Sequence, residues 1–408
     1  MSGRDGAVNA FSSRGAPRRL LRARRRLRAG LAQLFCALAG LALGLALPRV
    51  SGGPTVEGNR LPELLFTLGI GVIGVVSIVF ALLFGAVQWS ASSFSPRLNL
   101  FHGDPLVWRT FALGVGVFTF AVTAGVVCIN LGEVTALVPV TATVATLVTF
   151  ALIRALQIRA FLSLKLPSVL EAVTSRGLAV IAAVYPLRSD PKVTDEPSAQ
   201  LPELRRTITW AGVPGVVQQL ELRWLIDEAT RADALVVFRV GVGDTVHDDS
   251  PLADIHGGEL SDEVVRAAVV LSAERTFDQD PMLAFRLLAD IALRALSPSV
   301  HDPATAVDAI DATEGLLRAV AKRDLAVADM FNAAGETRVR LVLPTWEDYL
   351  RIAIEDLLQF ATPFPMVLDR LRRLLVNLLE IRPASPAPLL QLQSQVNAAL
   401  LAAKAPRQ

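Results

Sequence analysis

Apolar positions fall into two regimes along this 408-residue chain. In the first 160 residues they gather into four long runs: Gly30 to Leu47, Leu64 to Trp89, Thr110 to Ile129 and Val134 to Leu156. A helix needs about 20 mainly apolar residues to cross the hydrocarbon core of a bilayer, so each run predicts a membrane span. No Asp, Glu, Lys, Arg or His interrupts them, except that Arg154 lies at the last turn of the fourth, where its stem can snorkel. Beyond residue 160 the runs shorten and mix with charge, the pattern of a water-soluble domain.

The later segments predict an α+β domain. A linker helix spans Ala155 to Leu166, broken by Pro167, and the continuous apolar run Gly177 to Tyr185 reads as a buried strand. Pro191 to Pro202 is a polar loop. Strands follow at Val216 to Leu222 and Ala234 to Val240, separated by a short helix from Arg223 to Thr230. From Glu259 the chain turns mainly helical. Ser261 caps a helix reaching about Arg275, and another helix runs from Pro281 to Leu296. Asp302 caps a third, with Pro303 at its first position, to about Val320. Thr337 to Leu343 alternates as a strand, and Thr345 with Asp348 forms a capping box for a helix striped by Trp346, Leu350, Ala353, Leu357 and Phe360. Two further helices start at Pro365 and Pro388.

Charge fixes an expected orientation. Nine arginines and no lysine precede the first run, from Arg4 to Arg28. Positive residues beside a span are retained in the cytoplasm, so four crossings place both termini on the cytoplasmic side of a cell membrane. Trp89 and Trp108 then share the cytoplasmic interface. Residues 1–160 carry 15 basic and 5 acidic side chains and the remainder 25 and 33. This acidic soluble half disfavours nucleic acid as a partner. Cys36 and Cys128 both fall within spans and form no disulfide framework. A cleaved signal peptide is disfavoured, because the first run is long and Leu47-Pro48-Arg49 is not a small-residue cleavage site.

Candidate chemistry is sparse. Ala32, Cys36, Gly40 and Gly44 recur every four residues, a small-residue stripe for helix packing, either within the four-span unit or between copies of the chain. Thr141, Thr146 and Thr149 add polar groups to the fourth span. The lack of charge at depth argues against ion-coupled transport. His247, Asp248, Asp249, Asp254 and His256 carry ligand-type side chains without a recognised metal spacing, so no metal or other cofactor is expected.

The densest polar segment is Glu274 to Asp311. Arg286, Asp290 and Arg294 are spaced i, i+4, i+8 on one helix face. Arg275 and Asp280 precede that helix, while Ser297, His301 and Asp302 follow it, and Asp308 and Asp311 lie on the next. This is either a salt-bridged helical hairpin or a site for an anion or polar ligand, with arginines as bidentate donors. Ser297, His301 and Asp302 include triad residue types, but without a nucleophile elbow, so no catalytic residue is assigned and an enzyme is disfavoured.

Two resemblances attach to these motifs. "VGVGDTV" at Val240 to Val246, within "VGVGDTVHDDSPLADI", resembles the hairpin of biotinyl and lipoyl carriers, but no lysine lies between Lys192 and Lys322, so no carrier function follows. Arg275-Thr276, Gln279-Asp280-Pro281, "DIALRALSP" from Asp290 to Pro298 and "DPATA" from Asp302 to Ala306 resemble the signature of an uncharacterised bacterial family of predicted membrane proteins, domain of unknown function 2254. The four spans, "FSPR" at Phe94 to Arg97 and "VGVGDTV" fit it too. His301 departs from the pattern, which has Asn before Asp-Pro. The resemblance implies an integral membrane protein and no established activity.

The expected architecture is therefore a membrane α-helical bundle of four transmembrane helices followed by a cytoplasmic α+β domain. It divides into a basic N-terminus (1–29), the spans (30–156), a strand-rich part (157–258) and a mainly helical part (259–408). Partners are the lipid bilayer, an unknown cytoplasmic ligand or protein and a homo-oligomeric copy. The leading function is a ligand- or partner-binding sensor or scaffold; the alternative is an oligomeric channel or permease.

Overall fold

The computed structural model describes residues 18–50, 54–93, 105–129, 131–163, 165–188, 201–381, 383 and 385–404. The side chains of the N-terminal arginine cluster and of Trp89, the FSPR segment and most of the loop after Pro191 lie outside the described residues. The chain divides into two compact units, one within Ala16–Ser168 and the other built from Val169 onward.

The first unit is a bundle of α1 (Arg18–Ala46), α2 (Leu61–Ser93), α3 (Pro105–Cys128) and α4 (Leu137–Ser163). Helix α3 is central, packing against the other three. It meets α1 backbone to backbone. A Cβ on Gly40 would stand 2.3 Å from the Gly116 carbonyl oxygen, and one on Gly44 would stand 2.7 Å from the Thr123 side chain. Such contact needs glycine on both helices. Phe80 of α2 and Phe111 of α3 lie 4.8 Å apart, tilted against each other. The predicted linker helix from Ala155 is instead the continuation of α4, which runs unbroken to Ser163.

Two three-residue strands join the connections at one end of the bundle. β1 (Thr55–Glu57) follows α1, β2 (Glu133–Thr135) follows α3, and they pair antiparallel in the register Thr55 with Thr135 and Glu57 with Glu133. The C-terminal ends of α1 and α3 thus lie beside the N-terminal ends of α2 and α4.

In the second unit, α5 (Leu166–Val184) replaces the strand expected over Gly177 to Tyr185. A continuous apolar run fits a buried strand or a helix with one buried face equally well. Here Val169, Val173, Gly177, Val180, Ile181 and Val184 recur at helical spacing and are all buried. Five described helices, rather than four, are long and apolar enough to cross a membrane, and α5 is the fifth.

A five-stranded sheet forms the centre of this unit, in the order β3 (Leu204–Thr209), β7 (Pro251–Gly257), β5 (Ala234–Gly241), β10 (Thr337–Val342), β9 (Asp329–Phe331). Only β5 and β10 are parallel. Strands from both sides of residue 258 thus share one sheet, with α6 (Leu222–Arg231) packed on β5 and β10. A second sheet has the order β6 (Thr245–Val246), β4 (Gly215–Leu220), β8 (Val269–Ser272). β5 and β6 therefore belong to different sheets and form no carrier-type hairpin. Ser261 caps α7 (Asp262–Ala267) as expected, but that helix stops at Ala267 and the chain enters β8, not a helix to Arg275.

The helical part comprises α8 (Met282–Ala295), α9 (Pro303–Ala321), α10 (Trp346–Leu350), α11 (Asp356–Ala361), α12 (Pro365–Glu380) and α13 (Ala387–Lys404). The Thr345–Asp348 capping box is present, but the helix it starts loosens into a π turn over Arg351–Glu355 before α11. α5 enters this core through Gly177, where a Cβ would come within 2.6 Å of Ala284 on α8 and 3.0 Å of Leu316 on α9.

Candidate functional site

The segment from Glu274 to Pro281 is held by its own side chains. The Gln279 amide pairs with the backbone of Leu220 at the end of β4: its oxygen accepts from the Leu220 N–H at 2.9 Å and its nitrogen donates to the Leu220 carbonyl at 3.3 Å. Gln218 donates to the Thr276 hydroxyl at 2.9 Å. Asp280, only 1% exposed, accepts from the Met282 and Leu283 N–H groups at 3.0 and 3.1 Å, satisfying orphan donors at the start of α8. Its other oxygen accepts from Arg275 Nε at 2.7 Å.

Against this ion pair lies the turn after β5. Gly243 has φ +96°, and a Cβ there would stand 2.3 Å from Arg275 Nη2 and 2.9 Å from the Asp280 carboxylate. The turn is pinned to β4, since Gly243 donates to Val217 and Val217 donates to Asp244. Two segments singled out in the sequence, Val240 to Val246 and Arg275 to Pro281, thus meet at one point. Arg275 commits Nε to Asp280, and its side chain remains 23% exposed.

Behind Asp280 are two fully buried tyrosines. The Tyr185 and Tyr349 hydroxyls hydrogen-bond at 3.0 Å, and Tyr349 also packs against Phe285 of α8 with ring centres 4.9 Å apart. Burial pushes both phenols above their ordinary range, and the Asp280 and Asp348 carboxylates add to this. Burial likewise raises the Asp280 carboxyl, opposed by Arg275 and the two backbone N–H groups.

The remaining sequence candidates do not join this group. α8 has 14 residues, so Asp280 and Ser297 are separated by about 20 Å of helix. Arg286 and Asp290 are half-buried along it and Arg294 is exposed. At the far end Ser297 donates to the Arg294 carbonyl, and Asp302 caps α9 by accepting from the Thr305 N–H and hydroxyl at 3.2 and 2.7 Å. Those bonds, the hydroxyl's first, hold the Asp302 carboxyl below its ordinary value. His301 is exposed, lies 5.1 Å from the Phe364 ring and has φ +50°. Asn is among the side chains best suited to that left-handed conformation and His is also tolerated, which accounts for the position's chemistry through the backbone.

One polar cluster had only Asp311 as its signal in the sequence. Arg370 of α12 pairs with Asp311 and Glu314 of α9, and Asn377 donates to Glu314 at 2.9 Å. The partners lie 56 to 63 residues apart, beyond any local spacing rule. In the bundle, Ala32 is exposed, Cys36 half-buried, and Gly40 and Gly44 are buried against α3. No group of three or more metal-ligating side chains occurs among the described residues.

Comparison with known proteins extends this picture. Uncharacterized proteins of Mycobacterium tuberculosis and Mycobacterium bovis are 26% identical over 369 residues, covering 82% of this chain and 69% of theirs. No solved structure matches. Residues 29–377 match the profile of the family described as "Predicted membrane protein (DUF2254)". That match takes in the bundle, both sheets and the Arg275–Asp280 group, and the chain belongs to the DUF2254 family of predicted membrane proteins.

Proposed function

We propose that this is a four-span protein of a bacterial inner membrane, with both termini in the cytoplasm, whose α+β unit binds an anionic ligand or partner at Arg275 and serves as a sensor or scaffold rather than an enzyme. The observation carrying the reading is the convergence of Gly243 with Arg275 and Asp280. It holds a partly exposed guanidinium in one orientation, and Arg recognises carboxylate and phosphate through such fixed forks. The β1–β2 ribbon supports the span count, because it brings the first and third connections together as an up-down bundle requires. On α5 the exposed face carries Glu171 and Arg176 while the other face fills the α+β core, which favours a domain helix over a fifth span.

The test is affinity capture of the full-length protein from membranes in mild detergent, identifying metabolites and proteins for the wild type and for Arg275→Gln. A bound species lost in the variant, with the variant still inserted, is the expected result. Identical profiles would sink the proposal.

A second reading, an oligomeric channel or permease, draws on α2. Gly71, Gly74 and Gly85 have nothing within 4 Å of a would-be Cβ, leaving a face where another copy's backbone could approach closely. Mass determination in native-lipid particles discriminates the two readings. A monomer without conductance counts against the channel.

A further inference from the structure

We infer that a groove on the membrane bundle, between the start of α2 and the end of α3, is a binding site for one phospholipid with a primary-ammonium headgroup, phosphatidylethanolamine in chemical class. The groove has a volume of about 480 Å³, within the range of small-ligand sites. Its lining includes Asn59, Glu63, Phe66 and Ile70 around the start of α2 and Ile129 and Leu131 beyond α3.

Three observations select the occupant. First, Ile70 and Ile129 are 63% and 60% exposed, so the groove opens sideways along an apolar helix, the direction in which acyl chains lie. Second, Gly125 keeps the groove open. A Cβ there would stand 3.0 Å from the Phe66 ring, so the absence of one lets that ring lie down against α3 as floor. Third, among the described lining residues Glu63 is the one charged side chain and none is basic. An anionic lipid would bring its phosphate to a carboxylate with no compensating cation, whereas an ammonium gains charge-assisted hydrogen bonds from Glu63 and from the Asn59 side-chain carbonyl. A quaternary choline has no N–H to donate.

The test uses the full-length protein reconstituted in bilayer discs of equal phosphatidylethanolamine, phosphatidylglycerol and phosphatidylcholine, then released and weighed by native mass spectrometry. One retained lipid per chain, enriched in phosphatidylethanolamine, is expected. Glu63→Gln should lower that enrichment about tenfold, the worth of one charge-assisted hydrogen bond. Ile70→Trp, which fills the groove with an apolar group, should abolish retention. Retained lipid in the bulk ratio for the wild type overturns the proposal by itself, whatever the variants do. So does undiminished enrichment in Glu63→Gln, or a lipid-free dimer that Ile70→Trp dissociates, which would assign the groove to a second copy of the chain.

Discussion

Tyr185 and Tyr349 stand 164 residues apart in sequence and share a hydrogen bond of 3.0 Å, with neither ring open to solvent. One closes α5, the other sits just before the π turn, so this bond fastens the first helix of the α+β unit to one of its last. Removing one hydroxyl leaves the other buried and unpaired, whereas removing both removes the need for a partner. Tyr185→Phe and Tyr349→Phe should each cost about 1–3 kcal/mol. The double variant should cost clearly less than their sum, as read by thermal unfolding in detergent.

Arg275 and Asp280 behave differently, because one partner is buried and charged. Arg275→Ala should destabilise the α+β unit by about 3–5 kcal/mol, the cost of leaving a buried charge without its counterpart. Gly243→Ala should also destabilise it, since the new methyl would meet the guanidinium and the φ is unfavourable. Limited proteolysis of membrane-bound protein reads both. An unchanged digestion pattern in Arg275→Ala would refute a structural role for the pair.

The α1–α3 contact gives an internally controlled experiment. Gly40→Leu should prevent close packing of the two helices and reduce the amount of protein recovered from membranes. Gly71→Leu, at a position with nothing within 4 Å, should leave the monomer intact. Equal recovery of the two would contradict the observed packing.

At the far end of α8, the helix cap predicts a pH dependence. The folded state holds the Asp302 carboxyl below its ordinary value, so its contribution is present above the ordinary carboxylate range and is lost as pH falls through the folded value. Asp302→Ala should cost about 1 kcal/mol at neutral pH, and the gap to the wild type should close under acid. His301→Asn should be neutral or stabilising, and His301→Val destabilising by about 1 kcal/mol or more, because a β-branched residue is poorly accommodated at positive φ.

What the sequence conveyed well was local chemistry. The Ser261, Asp302 and Thr345 caps, the apolar bundle helices and the helix after Pro281 all depend on residues a few positions apart. Gly177 to Tyr185 misled because its length suits a strand, while only its partners on α8 and α9 reveal the helical face. The span count was equally ambiguous for that helix. The candidate site was legible as a set of residues but not as a geometry. Arg275 and Asp280 do meet, Gly243 arrives through a turn in another sheet, and Ser297, His301 and Asp302 are carried away by the length of α8. Arg370 was invisible because its partners lie on a helix more than 50 residues earlier.

The glycine contact between α1 and α3 also sets a timetable. The first span cannot reach its main neighbour until the third has been made, about 75 residues later, which at 5–20 residues per second is a wait of roughly 4–15 s. In the proposed orientation, α1 persists in the bilayer during that interval as an isolated helix, held by its own hydrophobicity and by arginines that keep its start from crossing. In that orientation the basic N-terminus matters most before the bundle exists, as a brake that holds the first helix in place until its partner arrives.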